Sequence, residues 1–160
     1  MEETHVKDVY NQIADHFRVT RTYKWTWVND FLNKTDTGSK ILDVGCGSGR
    51  NMQHENRNFT GIDNSLVFVE MCRGKGLNAH LMDMCKTTFK DKVFDYTISC
   101  ASFHHLATEE RRLLALKEMK RVTKKLKNTQ AQQADFYLQI YYQKTITLNF
   151  HRLIDCYQKK

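Results

Sequence analysis

The chain has 160 residues and a formal net charge of +7, a size that suits one domain. Such a domain buries roughly 68–70% of the surface that its unfolded chain exposes. No apolar run approaches the ~18 residues of a membrane span, and the polar N-terminus is unlike a secretory signal, so we expect no membrane association. The five cysteines show neither C-x-x-C pairing nor zinc-site spacing, which predicts free thiols, no metal site, and a cytoplasmic or nuclear location.

Two helices are predicted before the first strand. Apolar residues recur at helical spacing over residues 3–17, which predicts an amphipathic helix there. A second helix is indicated by Trp25, Val28 and Leu32. The polar residues 35–39 then form a loop that leads into the first strand.

The first strand, predicted over residues 40–44, breaks into three alternating glycines: Gly45, Gly47 and Gly49. A strand that ends in a tight glycine turn and feeds a helix commonly holds the ribose-containing end of a nucleotide-like cofactor. The dinucleotide fingerprint needs a glycine where Arg50 stands, so it is not matched. Asp43, at the end of the strand, suits a cationic or amine-bearing ligand better than a pyrophosphate.

Strands and helices alternate through the following residues. Further strands are predicted over residues 59–62, 77–82 and 93–100, with helices after the capping residues Ser65 and Thr108. The apolar stripe of the last helix comprises Ala115, Leu116, Met119, Val122 and Leu126. This order predicts an α/β fold, with an open, doubly wound, mainly parallel sheet and helices on both faces.

Three carboxylates follow three of these strands: Asp43, Asp63 and Asp83. Ligands of such sheets bind beyond the carboxyl ends of the strands, where these acids lie. Asp63 follows Asp43 by twenty residues, the position from which an acid accepts hydrogen bonds from both ribose hydroxyls. Asp83 is placed to accept from an adenine amino group. Together with the glycine loop, the acids predict a nucleoside-cofactor site.

The segments 43–49 and 61–65, together with Asp83, resemble the first three motifs of the class I S-adenosylmethionine-dependent methyltransferases. The resemblance implies a Rossmann-like fold in which the glycine loop packs against the aminocarboxypropyl part of S-adenosylmethionine. It implies that Asp63 binds the ribose and that Asp83 and Met84 frame the adenine. The other cofactor-binding positions that it implies are Asp43, Gly45, Cys46, Gly47, Gly49, Asn64 and Cys100; Cys46 can equally be a small filler of the loop.

A finer resemblance covers roughly residues 6–125. Residues 9–17, and residues 98–106 with the 108–112 segment after them, are similar to the eukaryotic wobble-uridine tRNA methyltransferases. Those enzymes methylate the carboxylate of 5-carboxymethyluridine in the tRNA anticodon and so form a methyl ester. The resemblance therefore implies tRNA as the substrate.

This chemistry needs few catalytic groups. A carboxylate with a pKa near ~4 is already ionised at neutral pH, so no general base is required. The enzyme has to place the acceptor oxygen in line with the methyl carbon and to exclude water. Arg21, His104 and His105 are the candidates for orienting the acceptor carboxylate. The alternatives are that Arg21 is solvated and that one histidine packs or binds backbone.

Two surfaces suggest macromolecular partners. The resemblance implies a small zinc-binding activator protein at the edge strand 77–82, unless local helices or loops cover that edge. Six basic residues crowd into residues 117–127 with only Glu118 opposing them. They are either a solvated helix face or an RNA contact.

The last part of the chain departs from the family, which has a glycine pair after the long helix, then a fifth strand and two further strands. Residues 128–160 show no such match, although residues 136–142 and 145–150 could each form a strand. We therefore expect a cofactor-binding domain over residues 1–127, and a divergent or truncated segment over residues 128–160 that lacks the last strands. Three functions stay open: a wobble-uridine tRNA methyltransferase, a methyltransferase for a small molecule or protein, and a non-catalytic cofactor-binding or partner-binding remnant.

Overall fold

A computed structural model describes residues 26–124 and the backbone of the two strands at 137–142 and 144–149. The helices are α1 (Thr26–Lys34), α2 (Leu66–Gly74) and α3 (Glu109–Val122). The strands are β1 (Lys40–Val44), β2 (Asn58–Asp63), β3 (Ala79–Leu81), β4 (Tyr96–Cys100), β5 (Tyr137–Tyr142) and β6 (Lys144–Asn149). Single-turn 3-10 helices span Arg50–Met52 and Phe103–His105. The helix predicted over residues 3–17 and the predicted boundary at 127/128 lie outside the described residues.

The strands form one sheet in the order β3-β2-β1-β4-β5-β6. Every neighbouring pair is parallel except β5 and β6, which are antiparallel. The prediction of a mainly parallel α/β sheet is therefore confirmed. The family pattern calls for a fifth strand and two further strands, and the described residues supply β5 and one further strand, β6. Because the strand order reverses between β1 and β4, a crevice is expected at their carboxyl ends.

Helices cover both faces of the sheet because residues along each strand point alternately to opposite sides. One apolar cluster joins α1 to β1 and β4: Val28, Phe31, Leu32, Ile41, Tyr96, Ile98 and Cys100. The opposite face packs the predicted stripe of α3 against Leu42, Val44 and Ile62. Ala115, Leu116, Met119 and Val122 are all buried, which confirms the described part of that stripe. No helix in the described ranges is long and apolar enough to cross a membrane.

Three details differ from the predictions made from sequence. Ser65 precedes α2 as expected, but its side chain makes no capping hydrogen bond. The turn is held instead by Asp63, whose Oδ1 accepts from the Ser65 N–H at 2.9 Å. Strand β3 spans only three residues of the predicted 77–82. Strand β4 begins at Tyr96 rather than at 93, because Phe94 forms its bridge with Thr123 after α3.

Candidate functional site: the carboxyl edge of the sheet

The glycine loop leaves β1 at the centre of the sheet. The N–H groups of Gly45 and Cys46 both donate to the carbonyl of Ile62, at 2.8 and 3.0 Å, and so tie the loop to the end of β2. Three loop residues have positive φ, in the region that residues with a side chain rarely adopt: Gly45 (72°), Gly47 (52°) and Gly49 (76°). The glycine spacing seen in the sequence is therefore a requirement of the backbone.

Space around the glycines differs from one to the next. A Cβ at Gly45 would overlap the side chain of Ser102, and a Cβ at Gly49 would overlap Leu77. A Cβ at Gly47 would meet no atom of the described residues within 4 Å. The loop is thus packed against protein at its two ends and open in its middle, as expected for a cradle in which the backbone closely approaches a ligand.

Asp63 is held by the loop and by the start of α2. Its Oδ2 accepts from the Gly47 N–H and its Oδ1 from the Ser65 N–H, both at 2.9 Å. Burial raises the pKa of the carboxyl above its ordinary value, although these hydrogen bonds oppose the shift. A carboxylate oxygen has two lone pairs, so each oxygen of Asp63 can accept a further hydrogen bond from a ligand hydroxyl. The arrangement suits a ribose diol.

Asp43 is fully buried beneath the loop. Among the residues that the structure describes, none donates a hydrogen bond to either carboxylate oxygen, although the nearby Asn51 amide and Arg50 favour the ionised form. Burial dominates and, with the charge of Asp63, raises the pKa of Asp43 to about 7. A buried carboxylate without a donor is costly and calls for a compensating donor or cation. A ligand that brings an ammonium group to this loop would supply the missing positive charge.

Asp83 follows β3 at the same edge. Its Oδ1 accepts from the Cys85 N–H at 2.8 Å, and its Oδ2 pairs with the Arg111 guanidinium of α3 at 3.0 Å. Partial burial pushes the pKa of Asp83 upward, but the bonds from Cys85 and Arg111 outweigh it and hold the pKa below its ordinary value. This carboxylate therefore stays ionised and fixed in orientation. It remains an acceptor with spare lone pairs, as an adenine amino group requires.

The segment after β4 closes the other side of the loop. The hydroxyls of Ser99 and Ser102 both donate to the carbonyl of Val44, at 3.1 and 2.8 Å, which locks this segment to the end of β1. Ala101 between them adopts a φ of +55°, a strained conformation for a residue with a side chain. His104 and His105 follow in the 3-10 helix, both half-buried, with ring centroids 4.0 Å apart.

The structure brings most of the predicted cofactor residues to this edge. Asn64 is exposed directly after β2, and Met84 is half-buried against the core on the α3 side. Cys46 packs with Cys72 of α2, whereas Cys100 packs in the core on the α1 side. Arg21 lies outside the described residues. For all of these positions, binding of the cofactor stays a prediction.

Three residues of the site were not identified from sequence. Ser102 and Arg111 lie inside the segments that resemble the family, but no spacing rule indicates that they reach Val44 and Asp83. Asn51 is buried beside the glycine loop, and a polar residue in a short connection gives no signal of burial. The contacts of Ser102 and Arg111 join residues that are 58 and 28 positions apart in the chain.

The fold and the site together define a Rossmann-like domain with a glycine-loop cradle at a topological switch point, the place where such folds bind nucleoside cofactors. Residues 42–126 match the family model described as "Methyltransferase domain", and the chain belongs to that family.

Relatives with assigned activities are similar over most of this chain. The tRNA (carboxymethyluridine(34)-5-O)-methyltransferase alkbh8 of Xenopus tropicalis is 39% identical over 126 residues, which are 78% of this chain and 20% of the relative. The tRNA (carboxymethyluridine(34)-5-O)-methyltransferase of Arabidopsis thaliana is 38% identical over 125 residues, 78% of this chain and 31% of the relative. This chain therefore spans less than a third of the length of either one.

Among solved structures, the chain is similar to a chain from a complex of the Haloferax volcanii Trm112 methyltransferase activator with a candidate methyltransferase. The TM-score is 0.71 at 17% identity, covering 96% of this chain and 75% of the other. At this identity the similarity establishes the fold alone.

Proposed function

We propose that this protein is an S-adenosylmethionine-dependent methyltransferase that forms the methyl ester of 5-carboxymethyluridine at the wobble position of tRNA. The observation that carries the cofactor assignment is the cradle itself, in which an open glycine loop lies above a buried Asp43 that has no hydrogen-bond donor among the described residues. The acceptor assignment is supported by the names of the relatives, which are 38–39% identical over 78% of this chain.

The residues at the carboxyl edge fit S-adenosylmethionine part by part. Asp63 would accept from the ribose hydroxyls, and Asp83 with Met84 would frame the adenine. The glycine loop would pack against the aminocarboxypropyl group, whose ammonium offers Asp43 the positive charge that it lacks. When bound, the cofactor supplies an electrophilic methyl group on a sulfonium.

The residues of this chain have to position the acceptor rather than activate it. The acceptor carboxylate, with a pKa near ~4, is ionised at neutral pH and needs no base. His104 and His105 project from the segment that Ser102 locks to β1, so their placement relative to the loop is fixed. We assign them, with Arg21, to holding the acceptor carboxylate by hydrogen bonds. Such preorganisation favours an in-line geometry.

A small activator protein that binds zinc is the proposed partner at β3. In the described part of the sheet β3 pairs with β2 alone and is the edge strand. Leu81 on this strand is 48% exposed. An exposed apolar edge favours the addition of a strand from a partner. The activator named in the similar complex is consistent with this proposal.

The test is transfer of a labelled methyl group from S-adenosylmethionine to tRNA that carries 5-carboxymethyluridine. A methyl ester is cleaved by mild alkali and releases volatile methanol, whereas methyl groups on nitrogen or carbon stay on the RNA. We expect alkali-labile label, increased by a Trm112-type activator. The control is the same tRNA with an unmodified wobble uridine, which should accept none. Absence of labile label with and without the activator, despite binding of the cofactor, would refute the assigned reaction.

A further inference from the structure

A basic surface forms on the α3 side of the sheet from two separate stretches of chain. The connection from residue 86 to residue 95 runs along the second half of α3. The Lys92 N–H donates to the carbonyl of Arg121 at 2.9 Å, and the Phe94 N–H donates to that of Val122 at 3.0 Å. Near the start of the connection, the backbone N–H and the hydroxyl of Thr87 both donate to Glu118 Oε1, at 2.7 and 2.6 Å. Lysines of the connection therefore lie beside lysines of the helix.

Both acids within this surface are engaged by one arginine, Arg121. Residues 86–92 and 117–124 contain seven basic side chains and two acids, Asp91 and Glu118. Arg121 pairs with both acids, through Asp91 Oδ1 at 2.6 Å and Glu118 Oε1 at 2.7 Å. The Arg121 guanidinium lowers the pKa of Glu118, partial burial opposes it, and the hydrogen bonds from Thr87 lower the pKa further, to about 2. The ion pair therefore persists at all ordinary pH values.

Lys124 pairs with Asp95 at 2.7 Å. Five other exposed lysines lie around the ion-pair network, and we call them the lysine surface: Lys86, Lys90, Lys92, Lys117 and Lys120. Cations near the end of α3 would be explained by the helix dipole alone. That explanation covers Lys117 and Lys120 at most, because the other three belong to the connection. The convergence of both groups creates a local positive field, which favours a polyanion.

We propose that the lysine surface binds the phosphodiester backbone of the RNA substrate, away from the nucleotide that is modified. The inference rests on the proposed function, which makes tRNA the acceptor. Helix α3 places Arg111 at the cofactor edge and Arg121 in the lysine surface, and ten residues of helix separate them by about 15 Å. Double-stranded nucleic acid carries about one charge per 1.7 Å, so a stem that extends from the site reaches this surface with several phosphates.

The experiment measures binding of tRNA by fluorescence anisotropy over a range of KCl concentrations, with the full chain. The triple variant K86Q/K90Q/K117Q removes three exposed charges that form no ion pair with any acid in the described part of the chain. We expect about tenfold or greater weakening near 0.15 M salt, and a reduction of about 2–3 in the slope of log K against log [KCl]. The single variant K90Q should lower the slope by about 1, while the matched control K34Q, with an exposed lysine at the end of α1, leaves it unchanged.

The outcomes separate this inference from the proposed function. If the triple variant binds tRNA with the affinity and salt slope of the wild type, the lysine surface does not bind RNA, although ester formation by the wild type still stands. If K34Q weakens binding as much as K90Q, only net charge matters and the inference is wrong. If the wild type neither binds tRNA nor forms the ester, the proposed function and the inference both fall. Unchanged binding of S-adenosylmethionine by the variants verifies that they are folded.

Discussion

Asp43 makes the stability of the cofactor-free protein depend on pH. The pKa of this fully buried carboxyl is raised from 3.8 to about 7 by burial first, with a contribution from the charge of Asp63. Between about pH 4 and 7 the native state therefore keeps the Asp43 carboxyl protonated, whereas the unfolded chain has already released that proton. The stabilisation from this group is fully present below about pH 4 and is lost as the pH rises through about 7.

The magnitude follows from the size of the shift. About three pKa units at 1.36 kcal/mol each give about 4 kcal/mol of unfolding free energy, lost mostly between pH 4 and 7. Asp43→Asn cannot titrate and has nearly the same shape. The free energy of unfolding of the wild type should therefore fall by about 4 kcal/mol relative to this variant over that range. Taking the difference between the two proteins cancels the titration of most other groups.

Urea denaturation of both proteins at pH 4, 5.5, 7 and 8, followed by far-UV circular dichroism, measures this difference. Saturating S-adenosylmethionine should restore stability to the wild type at pH 7–8 more than to Asp43→Asn, because the ligand brings a cation to the carboxylate. A constant difference between the two proteins at every pH would show that Asp43 titrates near its ordinary value, and would refute the reasoning.

Three further predictions concern the glycine loop and two ion pairs, Glu118 with Arg121 and Asp83 with Arg111. Gly45→Ala should lower the free energy of unfolding by about 2 kcal/mol in the urea assay, because Gly45 has a positive φ and the side chain of Ser102 fills the space of a Cβ. The control Gly74→Ala should be neutral or stabilising, because Gly74 has open space around it and no positive φ. Glu118→Gln should lower the free energy of unfolding by about 2 kcal/mol at pH 7. The difference from the wild type should shrink as the pH falls from 4.5 toward 2, because the wild-type carboxylate is then protonated. A difference that stays constant in a pH series of unfolding curves would contradict the ion pair. Arg111→Gln should weaken binding of S-adenosylmethionine about tenfold in calorimetric titrations while Arg111→Lys retains much of it, because the cation orients Asp83; equal loss in both variants would assign Arg111 a different role.

The cofactor half of the fold was predictable because its signals are local. A strand that ends in alternating glycines requires positive φ values at those positions, and acids that follow parallel strands necessarily share one edge. The strand order then places Asp43, Asp63 and Asp83 along one edge of the sheet, as the structure shows. Periodicity likewise identified the buried stripe of α3.

Other features depended on contacts between distant segments and were not predictable. The start of β4 was misplaced because Phe94 is apolar, like a strand residue, yet bridges to Thr123 instead of the sheet. Ser65 is the N-cap position of α2, as predicted, but it makes no side-chain capping hydrogen bond, and Asp63 holds that turn. The ion pair between Asp83 and Arg111 and the burial of Asn51 arise only when the chain folds, since nothing local to either residue requires them.

The most direct test of the central claim is equilibrium binding of labelled S-adenosylmethionine to the wild type, to Asp63→Ala and to the control Asp36→Ala, an exposed acid in the loop before β1. Circular dichroism should verify that all three proteins are folded. We predict saturable binding by the wild type and by Asp36→Ala, with at least a hundredfold loss for Asp63→Ala, since two ribose hydrogen bonds to a charged group disappear. Equal binding by Asp63→Ala, or no saturable binding by the wild type, would contradict the assignment of the glycine loop and its acids as the cofactor site.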